Sequence, residues 1–275
     1  MFMKKSFILP LLIISLLVST SVQAQFNLNN IKSVASKATT TAKSATSGTS
    51  SSKSSSLTQD EAASGLKSAL TEGSKKASTN LNKTDGYFKD NTVKILLPSE
   101  AQPIAKNIKM IPGGQKMEDD AILRMNRAAE DAAITAADIF INAITKMTIA
   151  DAINILYGSN DAATVYLKKN TYNELKVAFQ PKIAASLNKK IVANISAAQS
   201  WSVLMTANNK VAGTYPGKAA GMKKVNTDLA EYVTEKALDG LFVKIAATEL
   251  DIRKNTTARV NDILKKVFGQ LDLKK

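Results

Sequence analysis

Asp161 lies in GSNDAATVYLKKNT (158–171), an aspartate among small residues with Tyr166 and two lysines just behind it. A carboxylate in that setting has two uses. It can act as an acid or base in a site, or it can start a helix, where its oxygens accept from first-turn N–H groups and complement the positive end of the dipole. Gly158 reads as the left-handed end of the preceding helix, and Ser159, Asn160 and Asp161 are all first-turn residue types. Capping therefore accounts for the whole tripeptide without a substrate.

Other carboxyls are Glu118-Asp119-Asp120, Glu130-Asp131 and Asp239, the last inside the apolar run ALDGLF. Burial there predicts an acid that is either raised in pKa, as a general acid needs, or paired with an arginine from the 117–133 region. Glycoside hydrolysis would need two such groups at a set separation. The Glu-Ser order common in single-glutamate helical enzymes that cut cell-wall glycan is absent. Arginine is scarce: 33 of the 37 basic residues are lysine, leaving Arg124, Arg127, Arg253 and Arg259. Four rigid forks could surround an anion. Each also has an acid within one turn (Asp120, Glu130, Glu249 and Asp262 respectively), and the spacing favours ordinary helix-surface pairs.

The chain has no histidine and no cysteine, which excludes histidine-based triads, imidazole or thiolate metal sites, disulfides and a lipid-modified cysteine. No calcium-loop, P-loop or dinucleotide-binding glycine pattern occurs, so neither a metal nor a cofactor is expected. Net charge is +14; residues 1–56 hold six lysines and no acid, and the remainder carries 31 basic against 23 acidic residues, or +8. With aromatics at 5 % and one tryptophan, stacking platforms are few, and the composition argues against nucleic acid. The partner that suits the charge is an anionic envelope lipid or glycan, or an envelope protein.

One stretch gathers that charge. NNKVAGTYPGKAAGMKKVN (208–226) contains Lys210, Lys218, Lys223 and Lys224 and no acid. Its glycines and Pro216 predict a loop over much of its length, either a solvated insertion or a basic ligand-binding contact with Tyr215 as the aromatic anchor.

These residues must be held by helices. Residues 1–24 have the three parts of a secretory signal: Lys4 and Lys5, the run FILPLLIISLLV, and the small-residue site Val22-Gln23-Ala24. Cleavage after Ala24 is expected, giving an exported protein, periplasmic or secreted, whose mature chain has no membrane-spanning segment. Residues 25–56 form a low-complexity tether; 14 of the 21 positions from Ser36 to Ser56 are Ser or Thr, and nothing there can bury a core.

The helical domain is expected over 57–275. Thr58 and Glu61 make a capping box for a first helix reaching about Leu81, and Asp85-Gly86 is a turn. VKILLP (93–98) is a short extended piece, Pro112-Gly113-Gly114 a break, and Met117–Met147 helical. Thr148 and Asp151 make a second box for a helix stopping at Gly158. After Pro181, residues Ile183, Leu187, Ile191, Ile195, Ala198, Trp201 and Met205 recur every 3.7 residues or so, one face of a long amphipathic helix. A central helix over about 227–253 follows, then a last one over about 256–268, capped by Asn255 or Thr256 and closed by Gly269. The fold class is all-α, a bundle-like single domain or two sub-bundles meeting after Ala207.

The order LTQDEAASGLKSAL, MNRAAEDAA, MTIADAINILYGSNDAATVYL, VTEKALDGLF and ARVNDILKKVFG resembles a bacterial family numbered 4197 among domains of unknown function. The similarity runs from about Leu57 to Gly269, with GSNDAAT in place of the family's usual GGDDAAT and poor alignment between Trp201 and Asp228. The resemblance implies an exported, mostly helical protein and supplies no functional residue. Two functions fit all of this. The first is a non-catalytic binding or interaction module of the cell envelope, and the second a carboxylate-dependent hydrolase of envelope glycan. The missing partners for the acids favour the first.

Overall fold

The computed structural model describes residues 58–110, 112–192, 195–259 and 262–272. The expected signal and tether lie outside the described residues. Residues from Ser55 onward form one compact unit around a single core, and the fold is all-α.

Local chemistry sets the first elements. Helix α1 (Gln59–Asn82) opens with the expected box: Thr58 Oγ1 accepts from Glu61 N–H at 3.2 Å, and Glu61 accepts from Thr58 N–H at 3.0 Å. The bonds to Thr58, with Lys266 nearby, hold the Glu61 carboxyl below its usual range. The Asp85-Gly86 turn follows, with Asp85 at φ 71°. Val93 closes a turn on Asp90, and residues 94–98 are in neither helix nor strand. A three-residue 3-10 turn (Ser99–Ala101) leads into α2 (Gln102–Lys109), and the expected break precedes α3 (Gly114–Ala133). The alanine-rich stretch then breaks at Ile134-Thr135, and α4 spans Ala136–Lys146. Helix α5 (Ile149–Leu156) carries the second box, Thr148 Oγ1 accepting from Asp151 N–H at 3.0 Å.

Gly158 is not left-handed, contrary to expectation. A Cβ there would lie 2.8 Å from both Asn154 O and the Ala162 Cβ, so the residue is glycine because the chain passes too close for a side chain.

Helices α6 (Ala162–Leu187) and α9 (Leu229–Lys254), 26 residues each, form the centre and pack against one another. Ala163, Leu167, Thr171, Leu175, Phe179, Ile183 and Leu187 of α6 are all buried, a ladder of fourth residues. Each step of four turns about 40° around an α-helix, so the buried stripe winds some 240° between Ala163 and Leu187. Neighbours therefore cover α6 on different sides along its length, with α3, α4, α5, α9 and a helix over Ala197–Ala212 (α7) all in contact. Around Phe242 of α9 the core is aromatic: Phe140 meets it edge-on with centroids 5.8 Å apart, and Tyr172 stacks at 6.3 Å.

This geometry corrects the long helix expected after Pro181. Pro181 sits inside α6, on its exposed side, where water can take the carbonyl that a proline leaves unpaired. The helix stops at Leu187, with the Asn188 N–H donating to the Ala184 carbonyl. Ile191 and Ile195 fall instead in a minimal antiparallel pair, β1 (Lys190–Val192) and β2 (Ile195–Ser196), and β-branched residues suit that conformation. Trp201 and Met205 are core residues of a separate helix, α7 (Ala197–Ala212), started by a box of Ser196 and Gln199.

Two further expectations shift in their bounds. The loop expected over much of 208–226 is found at 213–214 and 220–226, while α7 continues to Ala212 and α8 spans Tyr215–Ala219. The final helix starts later, with a 3-10 turn at Thr256–Ala258 and then α10 (Asp262–Asp272), which runs through Gly269. Among the described residues no single helix is long and apolar enough to cross a membrane; α4 and α5 together pass that test but are bent by 107°, and their Phe140, Ile144, Ile155 and Leu156 are core.

Candidate functional site

The acids come first, since a hydrolase would need them free and convergent. Asp161 occupies the N-cap position of α6, yet its side chain accepts no bond from that helix. It takes the Ser159 hydroxyl instead, at 2.6 Å. The first turn is capped from elsewhere. Glu249 of α9, buried, accepts from Ala163 N–H at 3.0 Å, Thr164 N–H at 2.9 Å and the Thr164 hydroxyl at 2.8 Å. Local position selects Asp161 for the cap, but a buried carboxylate at the positive end of a helix makes the stronger bonds and displaces it. Asp161→Ala should therefore change stability by less than about 0.5 kcal/mol, while Thr148→Ala, which removes a real cap, should cost about 0.5–2 kcal/mol. Thermal unfolding of the two variants side by side checks this.

The arginines are not surface pairs as a group. Arg253 is buried and donates to Glu249 at 3.0 and 2.9 Å, and to the Ile155 and Leu156 carbonyls that end α5 at 2.8 and 3.2 Å. Glu249 and Arg253 thus stitch the end of α5 to the start of α6. Arg259, 2 % exposed, pairs with Asp272 rather than with Asp262, and also donates to the Ile252 and Arg253 carbonyls. Phe268 lies under both guanidinium groups at 5.8–5.9 Å. Arg127 does pair with Glu130, and also with Asp85, and its own pKa is raised by those two bonds. Asp120 bonds Lys116 instead of Arg124.

Other acids that the sequence singles out have partners of their own. Glu130, buried, accepts from the Tyr87 and Phe88 N–H groups at 3.1 Å each. Asp119 accepts from Gln115, and Asp131 from Ser186. Asp239 is exposed, not buried, with Lys236 3.6 Å away, because α9 turns its Gly240 and Leu241 inward and leaves Asp239 on the outer side. Among the described residues no three acids come close enough together to hold a metal ion.

The basic residues converge where the acids do not. Asn208 and Asn209 on α7 fasten the chain that follows α8. Asn209 Oδ1 accepts from Val225 N–H at 2.8 Å, its Nδ2 donates to Val225 O at 2.7 Å, and Asn208 Nδ2 donates to Lys223 O at 3.2 Å. These bonds lay Lys223 and Lys224 alongside the end of α7, next to Lys210, and the Lys224 stem passes over Gly213. Helix α8 folds back tightly. A Cβ on Gly217 would fall 2.1 Å from Val211 O, so only glycine allows that closeness. Lys218 and Tyr215 share one face of α8, and Tyr215 is 87 % exposed.

Lys210, Tyr215, Lys218, Lys223 and Lys224 are all exposed, and among the described residues none of Lys210, Lys218 and Lys224 has a carboxylate within 4 Å. Lys223 instead faces Glu100 across a cleft of 290 Å³ lined also by Ser99, Pro103, Ile104, Asn208 and Met222. The carboxyl of Glu100 is held below its usual range by its own N–H and the Ser99 hydroxyl first, with Lys223 and Lys236 adding to it. The corner extends a wider feature that the shorter lysine-rich stretch understates. From Leu175 to Thr227 the chain has eight lysines and not one acid over 53 residues. That run was the available signal for Asn208 and Asn209, which position the corner, and for the exposed Val203 and Val211 beside it.

No curated protein and no solved structure matches the chain. A family model described as "Protein of unknown function (DUF4197)" matches residues 56–269, most of the sequence and the whole helical core. The order of helix blocks, the compact all-α core and that match together make the chain a member of the DUF4197 family.

Proposed function

We propose that the chain is an exported, non-catalytic interaction module that binds an anionic envelope component through Lys210, Tyr215, Lys218, Lys223 and Lys224. The observation that carries this reading is the fastening of residues 223–225 to α7 by Asn208 and Asn209. Lys223 and Lys224 are thereby held against the end of α7, the helix that carries Lys210, in a stretch of sequence without acids, where like charges repel and folding alone supplies no reason to collect them. Residues 1–24 support export through their signal-like pattern. The hydrolase reading lacks comparable support, since Glu130 and Glu249, the buried glutamates, are occupied by backbone donors and arginines.

The test is capture from envelope extract by the wild-type chain and by a variant with Lys210, Lys218, Lys223 and Lys224 changed to Gln, read by mass spectrometry for proteins, lipids and glycans. The wild type should retain an anionic component that the variant loses. Equal retention by both, or release of soluble fragments from purified cell-wall glycan, would overturn the reading.

A further inference from the structure

We propose that the α7–α8 corner docks on an anionic lipid surface, with Val203, Val211 and Tyr215 entering the headgroup boundary and the lysines around them contacting lipid phosphates. This rests on the interaction-module reading and narrows its partner to one class.

The apolar part is the argument for lipid. Trp201, Met205 and Ala212 mark the buried side of α7. Val203 and Val211, eight residues apart and so on one flank, are 73 % and 51 % exposed, and the exposed Ala207 lies between them. Leu204, 36 % exposed, borders the same flank, and Lys210 is one helical repeat of seven from Val203. Tyr215, 87 % exposed, opens α8 three residues after the end of α7, and Met222 lies beside Lys223 in the adjoining cleft. An apolar strip rimmed by lysines, with a tyrosine among them, is the arrangement of a helix that lies in the membrane interface. A glycan would use hydrogen-bonding side chains and aromatic platforms, and exposed valines give it nothing.

Charge complementarity points the same way. Of the eight lysines between Leu175 and Thr227, Lys176 pairs with Glu231 and Glu235 and Lys223 faces Glu100, while the stretch itself contains no acid to neutralise Lys210, Lys218 and Lys224. Neither contribution suffices alone. A weak apolar anchor needs a polybasic patch for stable attachment, and here the fold places both together.

The domain 55–275 serves for the test, because it contains the whole core and omits the lysines of the tether. Sedimentation with vesicles of phosphatidylcholine, with and without phosphatidylglycerol, should show binding to the anionic vesicles only, weakening as salt rises. Each lysine should contribute about fivefold at low salt (about 1 kcal/mol), so the quadruple glutamine variant should lose at least about tenfold. A variant with Val203, Val211 and Tyr215 changed to serine, all exposed, should keep its fold by circular dichroism and lose binding as well.

The chain has no cysteine, so Val203→Cys, Val211→Cys and, as a remote control, Val177→Cys can each carry an environment-sensitive fluorophore. Emission should shift to the blue on anionic vesicles for the first two and stay unchanged for the third. If the lysine variant loses binding while the serine variant and the fluorophores do not respond, insertion is wrong and only a headgroup contact remains. If vesicles are ignored but an anionic polysaccharide is bound through the same lysines, the lipid assignment falls and the interaction module stands. Binding to neither probe overturns the lipid assignment as well, and the capture experiment then decides the broader reading.

Discussion

Glu249→Ala should lower the unfolding free energy by about 3–5 kcal/mol, the cost of leaving a buried charge without its partner. The variant strands the Arg253 guanidinium in the core, where both side chains are less than a tenth exposed. It also removes the acceptor for the Ala163 and Thr164 N–H groups at the start of α6. For a domain of this size each kcal/mol moves the midpoint by about 2–4 °C, so a fall of roughly 6–20 °C is expected. Replacing Glu249 and Arg253 together by leucine should cost less than Glu249→Ala, since no lone charge then remains buried. Calorimetry on the three proteins decides it. A single variant within about 1 kcal/mol of wild type would show that water reaches this pair and that Glu249 is not the cap of α6.

Asn126→Ala should cost about 2–4 kcal/mol through a different route. Asn126, fully buried in α3, imitates a strand partner for the segment 94–98: its Oδ1 accepts from Ile95 N–H at 2.8 Å, and its Nδ2 donates to Ile95 O at 2.8 Å. Its Nδ2 also bonds Ile122 O at 2.8 Å. Alanine leaves a buried donor and acceptor of Ile95 unpaired, at about 1–3 kcal/mol each when no water replaces the partner. Asn126→Asp should be no milder, because a carboxylate keeps the bond from Ile95 N–H but faces two carbonyl oxygens without a donor. Denaturant unfolding gives the magnitude, and hydrogen exchange at the Ile95 amide gives the place. Exchange there should rise before global unfolding. Unchanged protection would mean that Tyr232, whose hydroxyl donates to Leu96 O at 2.8 Å, holds the segment by itself. Burial, with Glu100 adding to it, pushes the Tyr232 hydroxyl up to about 12, so it stays a donor throughout the neutral range.

Both predictions concern contacts that close over long stretches of chain, and these are the contacts the sequence conceals. Its own determinations were local ones. The boxes of Thr58 with Glu61 and Thr148 with Asp151 are visible because cap and partner are three residues apart, and nothing distant can offer those N–H groups a shorter path. The all-α class, the centrality of α9 and the absence of imidazole and thiolate chemistry follow from composition and periodicity in the same way. The lysines of 208–226 were legible as a charge cluster, since an acid-free run is a property of sequence alone.

Tertiary structure decided the rest, wherever two local signals competed. Asp161 had the right position for a cap and lost it to Glu249, because the buried carboxylate reaches the same N–H groups from α9 and is paired with Arg253 there. The stripe through Ile183 and Ile195 had a helical period, but a fourth-residue ladder winds around its helix, and only the neighbours reveal where the packed side ends. Asp239 sat in an apolar run and still faces solvent, since a run gives average hydropathy and not the side a residue takes. The placing of Lys223 and Lys224 against the end of α7 depended on Asn208 and Asn209, two polar residues whose partners lie 15 and 16 positions along the chain. A side-chain amide bonds whichever backbone the fold brings to it, and that choice is made in three dimensions.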